Sequence, residues 1–199
     1  SNDSGDQIFY QGIEKNIDLL KKILRTNKLI DNVKYDLPNF IGTFSIAVVT
    51  KDYVLIAADK IRSIPIYYSR NDQVFLISNS AENIINYSVG DISWTSVTDY
   101  LISGYVHGDN TLYNNIFCLG AGKFLLLDRN AGSTSEKQYF SYQPDPKYEK
   151  EKDYHRILDE KIDAAIERTI THARGRPILV PLSGGLDSRL VLAKLKQHN

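Results

Sequence analysis

Four short apolar runs follow one another in the middle of the chain, and turn-forming residues separate them. The first two runs are almost entirely apolar, which is typical of strands in a sheet covered on both faces. Polar turns join the runs in pairs, Lys51-Asp52 in the first pair and Arg70-Asn71-Asp72 in the second. The pattern therefore predicts a meander of two β-hairpins. The predicted strands are 44–50, 53–58, 64–69 and 73–78.

Apolar residues recur at helical spacing elsewhere in the chain. An amphipathic helix is predicted near the start, with its apolar positions at Ile13, Ile17, Leu20 and Leu24. A long helix is predicted near the end, with one face formed by Tyr154, Leu158, Ile162, Ala165, Ile166 and Ile170. The shorter predicted elements are helices at 80–87 and 95–103, the latter with Thr95 as N-cap, and a strand at 124–128.

One segment near the end combines a strand, a turn and a helix around polar residues. Residues 177–180 are apolar and β-branched, which predicts a buried strand, and residues 190–195 predict a helix. Gly184 and Gly185 let the backbone turn tightly between the two. A helix N-terminus attracts anions, because its first N–H groups are unpaired and the helix dipole is positive there. The segment is therefore a candidate phosphate site.

The side chains of this turn indicate the kind of phosphate ligand. Ser183 and Ser188 supply hydroxyl donors, whereas Asp187 would repel a phosphate unless a cation lay between them, which favours a magnesium-bound polyphosphate. No lysine follows the second glycine, which excludes the Walker A pattern. The sequence matches the S-G-G-x-D-S pyrophosphate loop of ATP pyrophosphatases, which cleave ATP between its α- and β-phosphates; the alternative is a Gly-Gly turn that binds nothing. The predicted ATP-binding residues are Leu182, Ser183, Gly184, Gly185, Leu186, Asp187 and Ser188, with Asp187 as the magnesium ligand.

Composition narrows the class of protein. The 199 residues include 24 Lys+Arg and 24 Asp+Glu, and a net charge of zero gives no electrostatic support for binding nucleic acid or an anionic membrane. The apolar runs are too short to span a bilayer, and no signal-peptide pattern opens the chain. A single cysteine excludes a disulfide framework and a Cys-rich metal site. We therefore expect a cytoplasmic protein.

Both ends of the sequence lead us to expect further residues in the native protein. The chain contains no methionine, and Ser1-Asn2 is typical of the scar of a removed tag. At the other end, the predicted strand at 177–180 would need parallel neighbours on both sides to form a sheet. We therefore expect most of this second domain to follow residue 199 in the native protein.

The order of several short motifs resembles the asparagine synthetase family. Residues 44–48 with Ala58-Asp59-Lys60 resemble F-A-F-A-L … A-R-D-R, and residues 65–68 resemble K-P-L-Y-Y. Residues 99–122 resemble E-Y-L-x-x-G-Y-V … T-L-F-x-x-I-x-x-L-x-P-G. The last two matches are Gln138-Tyr139-Phe140 with R-Y-W and residues 182–188 with L-S-G-G-L-D-S. These motifs keep their order and spacing from about residue 40 to the end.

This resemblance implies an α+β fold in two parts. The first is an N-terminal-nucleophile-type sandwich of two antiparallel sheets between helix layers, and the second is the first strand, loop and helix of an α/β ATP pyrophosphatase domain. It assigns residues 1–143 to a glutamine amidotransferase-like domain that lacks its N-terminal part. Residues 144–199 would be a linker and the truncated start of the synthetase domain.

The family's reaction indicates the cofactors and substrates. ATP activates a carboxylate as its acyl-adenylate, and ammonia released from glutamine then attacks to form an amide. The resemblance thus implies ATP, magnesium and a small-molecule carboxylate as ligands, with glutamine as a further candidate substrate and a homodimer as a candidate assembly. No nucleic-acid or membrane partner is expected.

The sequence departs from the family at its glutaminase centre. The family's nucleophile is a cysteine at the mature N-terminus whose own amine is the base, and this chain has no N-terminal cysteine. Cys118 lies mid-chain without a free amine and is interpreted as a small, partly buried side chain. No catalytic residue is therefore assigned. Arg62 and Ile64 replace a family glycine and lysine, and Arg189 replaces the second serine of S-G-G-L-D-S-S. This variant resembles asparagine-synthase-like proteins outside core amino-acid metabolism, and beta-lactam synthetase is a relative that keeps the fold and the ATP site but not the nucleophile.

Three functional hypotheses follow. The first is an ATP-dependent, amide-forming ligase, either asparagine-synthetase-like or an intramolecular ligase like beta-lactam synthetase. The second is a degenerate amidotransferase-like module that scaffolds a partner without catalysis. The third is another pyrophosphate-loop enzyme, such as a sulfate-nucleotide reductase or a tRNA-modifying ligase, which leaves the motifs of residues 40–140 unexplained.

Overall fold

The computed structural model describes residues 6–12, 18, 20, 21, 29–70, 74–87, 90–144 and 151–198. The chain divides into two units, Ser1–Tyr142 and Gln143–Asn199. The second unit contains α4 (Glu151–Ala173) and α5 (Leu186–Gln197). The described elements of the first unit are, in order, β1 (Gln7–Gly12), α1 (Leu29–Asp36), a 3-10 helix (Leu37–Asn39), β2 (Phe44–Val49), β3 (Tyr53–Ala58), β4 (Tyr67–Arg70), β5 (Phe75–Ser78), α2 (Ala81–Ile85), α3 (Trp94–Ser103), β6 (Ile116–Cys118), β7 (Lys123–Asp128) and β8 (Thr134–Gln138).

The strands of the first unit form two antiparallel sheets. The large sheet has the order β1-β2-β3-β7-β8, and the small sheet has the order β5-β4-β6. One apolar cluster packs Val33 and Phe40 against one face of the large sheet. A second cluster joins the two sheets. It contains Ile56 of the large sheet, Tyr68 of β4 in the small sheet, and Ile66, which directly precedes β4. The unit is therefore a sandwich of antiparallel sheets with helical segments packed against it, which confirms the predicted antiparallel sandwich.

Both predicted hairpins form, but they lie in different sheets. β2 pairs with β3 in the large sheet, and β4 pairs with β5 in the small sheet. The other neighbour of β3 is β7, which is distant in sequence, so the prediction of one continuous meander is wrong. β2 and β3 are buried along nearly their whole length, as their apolar sequences predict.

The turn after β3 explains why the chain changes sheets. Asp59 is 1% exposed, and its carboxylate accepts hydrogen bonds from the backbone N–H groups of Ile61 and Ser63 in the turn and of Phe44 at the start of β2. Arg62 adopts a left-handed backbone conformation with φ of 55°, a conformation that side chains other than glycine seldom adopt. The turn ends β3 and carries the chain to the small sheet, where β4 begins at Tyr67.

Several local predictions need correction. The sequence did not predict β1, β6 or β8 as strands. These short segments become strands by pairing with β2, β4 and β7, which local periodicity cannot reveal. The N-cap of α3 is Ser93 and not Thr95, because the Ser93 hydroxyl accepts a hydrogen bond from the Ser96 N–H at 3.3 Å. The helix predicted around residues 13–24 falls mostly outside the described residues; of its apolar positions, Leu20 is described, and it is helical and buried.

Both described helices of the second unit were predicted. Lys194 of α5 forms ion pairs with Asp159 at 2.6 Å and Asp163 at 2.8 Å, both on α4. Residues 177–180, predicted as a buried strand, form no strand, and Leu179 is 93% exposed. A strand is stabilised by hydrogen bonds to a neighbouring strand, and no described residue pairs with this segment. In the described part of the chain, no helix combines the length and apolar character needed to cross a membrane.

Replacing Gly122 with alanine should destabilise the first unit by about 2–4 kcal/mol. Gly122 has φ of 65°, and an added Cβ would collide with the carbonyl oxygen of Phe140 and lie 3.1 Å from its Cβ. Gly132 is the matched control, because it has φ of 63° but no atom within 4 Å of an added Cβ. Gly132→Ala should therefore lower the free energy of unfolding by only about 1 kcal/mol, which is the cost of placing a residue with a Cβ in the left-handed conformation. Urea denaturation of both variants measures the difference, and equal losses would show that the Phe140 contact is unimportant.

Candidate phosphate-binding site

The predicted phosphate loop, residues 182–188, lies at the N-terminus of α5 in the second unit. α5 begins at Leu186 with Gly185 as its N-cap residue, and no side chain caps this end. All residues of the loop are exposed except Ser188, which is partly buried. The structure therefore places the seven predicted residues at an accessible helix N-terminus.

Two serine hydroxyls close the loop. The Oγ atoms of Ser183 and Ser188 are 2.9 Å apart, and Ser188 Oγ accepts a hydrogen bond from the Ser183 backbone N–H at 3.1 Å. The N–H of Gly185 donates to Ser183 Oγ at 3.2 Å. The turn thus brings together two hydroxyls that are five positions apart in sequence. The sequence motif identified both serines as donors, but it did not reveal this contact.

Gly184 and Gly185 lie where the local fold does not require glycine. Neither has a positive φ, and the φ of Gly185 is −77°. A Cβ at Gly184 would meet no atom within 4 Å, and a Cβ at Gly185 would lie 3.4 Å from Ser183 Oγ. Residues with side chains would therefore fit within the chain itself. The two glycines leave open space above the turn, as a phosphate needs in order to approach the backbone.

The first turn of α5 offers unpaired donors and one carboxylate. The backbone N–H groups of Leu186 and Asp187 have no hydrogen-bond acceptor among the described residues. Such N–H groups, together with the helix dipole, favour a bound anion. The described residues contain no group of three or more His, Cys, Asp or Glu side chains that could hold a metal ion. Asp187 would therefore bind magnesium only together with phosphate oxygens and water, as is usual for this ion.

The sulfur of Cys118 does not have the environment of a nucleophile. Cys118 lies in β6 of the small sheet and is 7% exposed. Burial raises the pKa of its thiol above the ordinary value, although the positive charge of Arg62 acts in the opposite direction. A thiol is reactive as the thiolate, so burial and a raised pKa both lower its reactivity. Cys118 was interpreted from the sequence as a small, partly buried side chain, and the structure buries it more fully than that.

Alkylation of Cys118 by iodoacetamide at pH 8 should be at least about tenfold slower in the folded chain than in urea. The raised pKa leaves less thiolate at any given pH, and burial limits access to the sulfur. The rate in the folded chain should also continue to rise with pH beyond about 8.5, the ordinary thiol value. Mass spectrometry of timed samples gives both rates. Rapid labelling of folded protein at pH 7 would contradict this description of the thiol.

Sequence reasoning missed a charged cluster in the first unit. Lys123 of β7 forms ion pairs with Asp109 at 2.6 Å and with Glu136 of β8 at 2.7 Å. The hydroxyl of Tyr68 donates a hydrogen bond to Glu136 at 3.4 Å, and burial, followed by the charge of Glu136, raises the pKa of Tyr68. The positive and negative groups satisfy each other, so this cluster ties β7 and β8 to the loop before β6 and to the small sheet.

Comparison with known proteins identifies the family of the first unit. Residues 33–140 match the family described as glutamine amidotransferase domain. No curated protein matches the chain.

Two solved structures resemble the chain at low similarity. One is the glutamine phosphoribosylpyrophosphate amidotransferase of B. subtilis in complex with ADP and GMP, with 12% identity and a TM-score of 0.42. The other is titled as the allosteric regulatory enzyme of purine biosynthesis, with 12% identity and a TM-score of 0.43. Each match covers 71% of this chain and 30% of the other chain. The chain thus spans about a third of the length of these proteins.

The family match carries the assignment, because it extends over more than half of the 199 residues. It includes β2 to β8, and so most of both antiparallel sheets. The chain belongs to the family of glutamine amidotransferase domains.

Proposed function

We propose that this chain is part of an ATP-dependent ligase that forms an amide bond, as asparagine synthetase does. The observation that carries the proposal is the loop at the N-terminus of α5. It combines two glycines that the fold does not require, two converging serine hydroxyls and unpaired backbone N–H groups. The loop follows a glutamine amidotransferase domain in the same chain, which is the order of parts in the asparagine synthetase family.

Each part of the loop would have a separate task. The hydroxyls of Ser183 and Ser188 and the N–H groups of Leu186 and Asp187 would bind the pyrophosphate part of ATP. The open space above Gly184 and Gly185 would let its oxygens approach the backbone. Asp187 would help to hold magnesium, whose charge offsets that of the phosphates. ATP, when bound, would supply an adenylyl group to a small-molecule carboxylate, with pyrophosphate as the leaving group.

Isotope exchange between pyrophosphate and ATP tests this proposal in the full-length protein. Formation of an acyl-adenylate is reversible, so the correct carboxylic acid should drive labelled pyrophosphate into ATP in the presence of magnesium. The acid that supports exchange would also identify the substrate. If ATP binds but none of a broad set of carboxylic acids supports exchange, adenylation is not the activity of this protein.

A non-catalytic amidotransferase-like scaffold is the second candidate, and the position of Cys118 favours it. The only cysteine of the given sequence is buried at the end of β6, in the middle of the chain, where it cannot serve as an N-terminal nucleophile. A glutaminase assay on protein with its verified native N-terminus separates the two candidates. Release of glutamate would exclude the scaffold hypothesis, whereas its absence together with pyrophosphate exchange would indicate a ligase that receives its amine without hydrolysing glutamine.

A further inference from the structure

Lys194 is a buried charged residue of the second unit that has no part in the proposed function as described so far. It lies in α5, which begins at Leu186, and only 11% of its side chain is exposed. Its ammonium group forms ion pairs with Asp159 at 2.6 Å and with Asp163 at 2.8 Å. These two carboxylates lie four positions apart on α4, so one lysine bridges two successive turns of the neighbouring helix.

His198, directly after α5, repeats this contact one turn further along both helices. Its Nε2 lies 3.3 Å from Asp163, and its Nδ1 lies 4.0 Å from Glu167. Residue numbers therefore rise together along the two helices, so α4 and α5 run in the same direction. Two contacts one turn apart fix the direction of one helix against the other, which a single contact cannot do. These residues form a charged clasp, which consists of Asp159, Asp163, Glu167, Lys194 and His198.

Stability alone does not explain a lysine at this position. An enclosed ion pair seldom regains the full cost of removing its charges from water, and well-packed apolar side chains often stabilise such a site equally well. Residues 190–192 and 195 of the same helix are leucine or valine, so an apolar residue would match its surroundings in the sequence. Ion pairs add direction, because apolar packing is non-directional and lets a helix roll or tilt. Hydrogen bonds to Asp159 and Asp163 raise the pKa of Lys194, which keeps it charged at neutral pH.

The charged clasp lies at the end of α5 that is opposite to the phosphate loop. At about 1.5 Å per residue, about 12 Å of helix separates Lys194 from Leu186. The loop end of α5 is open, since Leu186 is 79% exposed and Leu190 is 44% exposed, whereas Leu195 beside the clasp is 7% exposed. A tilt of α5 by about 10° at Lys194 would therefore move the loop by about 2 Å. A displacement of about 1 Å is enough to impair a reaction strongly.

We propose that Lys194 is a positioning residue for the phosphate loop. The charged clasp holds α5 at a fixed angle to α4 and so directs the backbone N–H groups of Leu186 and Asp187 at the pyrophosphate part of ATP. This inference rests on the proposed function of the loop and adds to it a residue that does not touch the ligand. The contact between the hydroxyls of Ser183 and Ser188 fixes the shape of the loop, whereas the clasp fixes its direction.

The dissociation constant of magnesium-ATP, measured by calorimetry on the full-length protein, tests this inference. Lys194→Met keeps a long side chain without its charge and should weaken ATP binding at least about tenfold, because the loop loses its direction. Lys194→Arg retains a cation that can pair with both carboxylates, so its affinity should stay within about threefold of the native value. Lys196→Met is the matched control, since Lys196 is an exposed lysine of α5 that forms no ion pair with a described residue. Its affinity should equal that of the native protein.

The kinetics of pyrophosphate exchange separate a positioning role from a merely structural one. A variant that only folds less well contains fewer active molecules, so kcat falls while KM for ATP stays the same. A misdirected loop should instead raise KM for ATP at least about tenfold and change kcat much less. Asp163→Asn disturbs the charged clasp from α4 and should also raise KM. Combined with Lys194→Met it should add little, because both substitutions break the same set of contacts.

Each outcome decides between this inference and the proposed function. If the native protein binds ATP and Lys194→Met keeps the native affinity and KM, the positioning role is wrong and the proposed function stands. Native protein that binds no ATP would overturn both. An equal loss of affinity in Lys196→Met would show a general effect of charge on α5 and would overturn the positioning role. If Lys194→Met fails to fold, Asp163→Asn, whose side chain is 34% exposed, decides the question by the same measurements.

Discussion

Asp187→Ala should lower the rate of pyrophosphate release by at least about a hundredfold in the full-length protein and leave its fold intact. Asp187 is exposed in the first turn of α5, so its removal opens no cavity. Under the proposed function, its carboxylate holds the magnesium ion that neutralises the leaving pyrophosphate. A hundredfold loss corresponds to about 2.7 kcal/mol of transition-state stabilisation, a reasonable value for the loss of a metal-linked charge.

Two further variants separate charge from structure in this experiment. Asp187→Asn keeps the shape of the side chain and should be nearly as inactive as the alanine variant, because only the charge is lost. Gln197→Ala, at the other end of α5, should retain full activity. The melting temperature should fall slightly in both Asp187 variants, since an acidic residue in the first turn stabilises a helix by about 0.3–1 kcal/mol. Near-normal turnover of Asp187→Ala at low magnesium would show that the Asp187 carboxylate is not a magnesium ligand.

Asp59→Ala should reduce the free energy of unfolding of the first unit by about 3–5 kcal/mol. The carboxylate of Asp59 is almost fully buried and accepts hydrogen bonds from the N–H groups of Phe44, Ile61 and Ser63. Alanine leaves these donors without an acceptor, and the donor of Phe44 is buried. The loss also releases the turn that directs the chain from the large sheet to the small sheet.

Urea denaturation with a matched surface substitution measures this effect. Asp91→Ala removes an exposed carboxylate and should change stability by less than about 0.5 kcal/mol. Asp59→Asn keeps one acceptor oxygen and should fall between the native chain and Asp59→Ala. If Asp59→Ala is as stable as Asp91→Ala, water or a rearranged backbone satisfies the three donors, and Asp59 is not the anchor of the turn.

Local sequence determined the elements that need no distant partner. The apolar runs of β2 and β3 predicted buried strands, and the Gly-Gly turn predicted the loop before α5, because in each case the residues concerned are adjacent in the chain. Residues 177–180 have the composition of a strand but form none, since composition cannot supply a hydrogen-bonded neighbour. β6 shows the opposite case: three residues in a glycine-rich segment become a strand by pairing with β4.

The chemical groups of the candidate site could be predicted from the local sequence, but their contacts in the folded chain could not. The motif predicted the hydroxyls of Ser183 and Ser188 and the carboxylate of Asp187 by residue type. It could not predict the contact of the two hydroxyls, which depends on the shape of the turn. The role of Asp59 was also hidden, because Phe44, fifteen positions earlier, becomes its partner only when β2 and β3 pair.

The position of β3 between β2 and β7 has a consequence for synthesis on the ribosome. β3 ends at Ala58 and β7 begins at Lys123, so roughly 65 residues must be added before the second edge of β3 finds its partner. At about 5–20 residues per second, this interval lasts roughly 3–13 seconds. During that time the nascent β2–β3 hairpin presents an apolar, unpaired edge, the kind of surface that chaperones bind and that aggregates form from. The spatial order of the strands thus determines how long this edge of the growing chain must be kept from aggregating by chaperones.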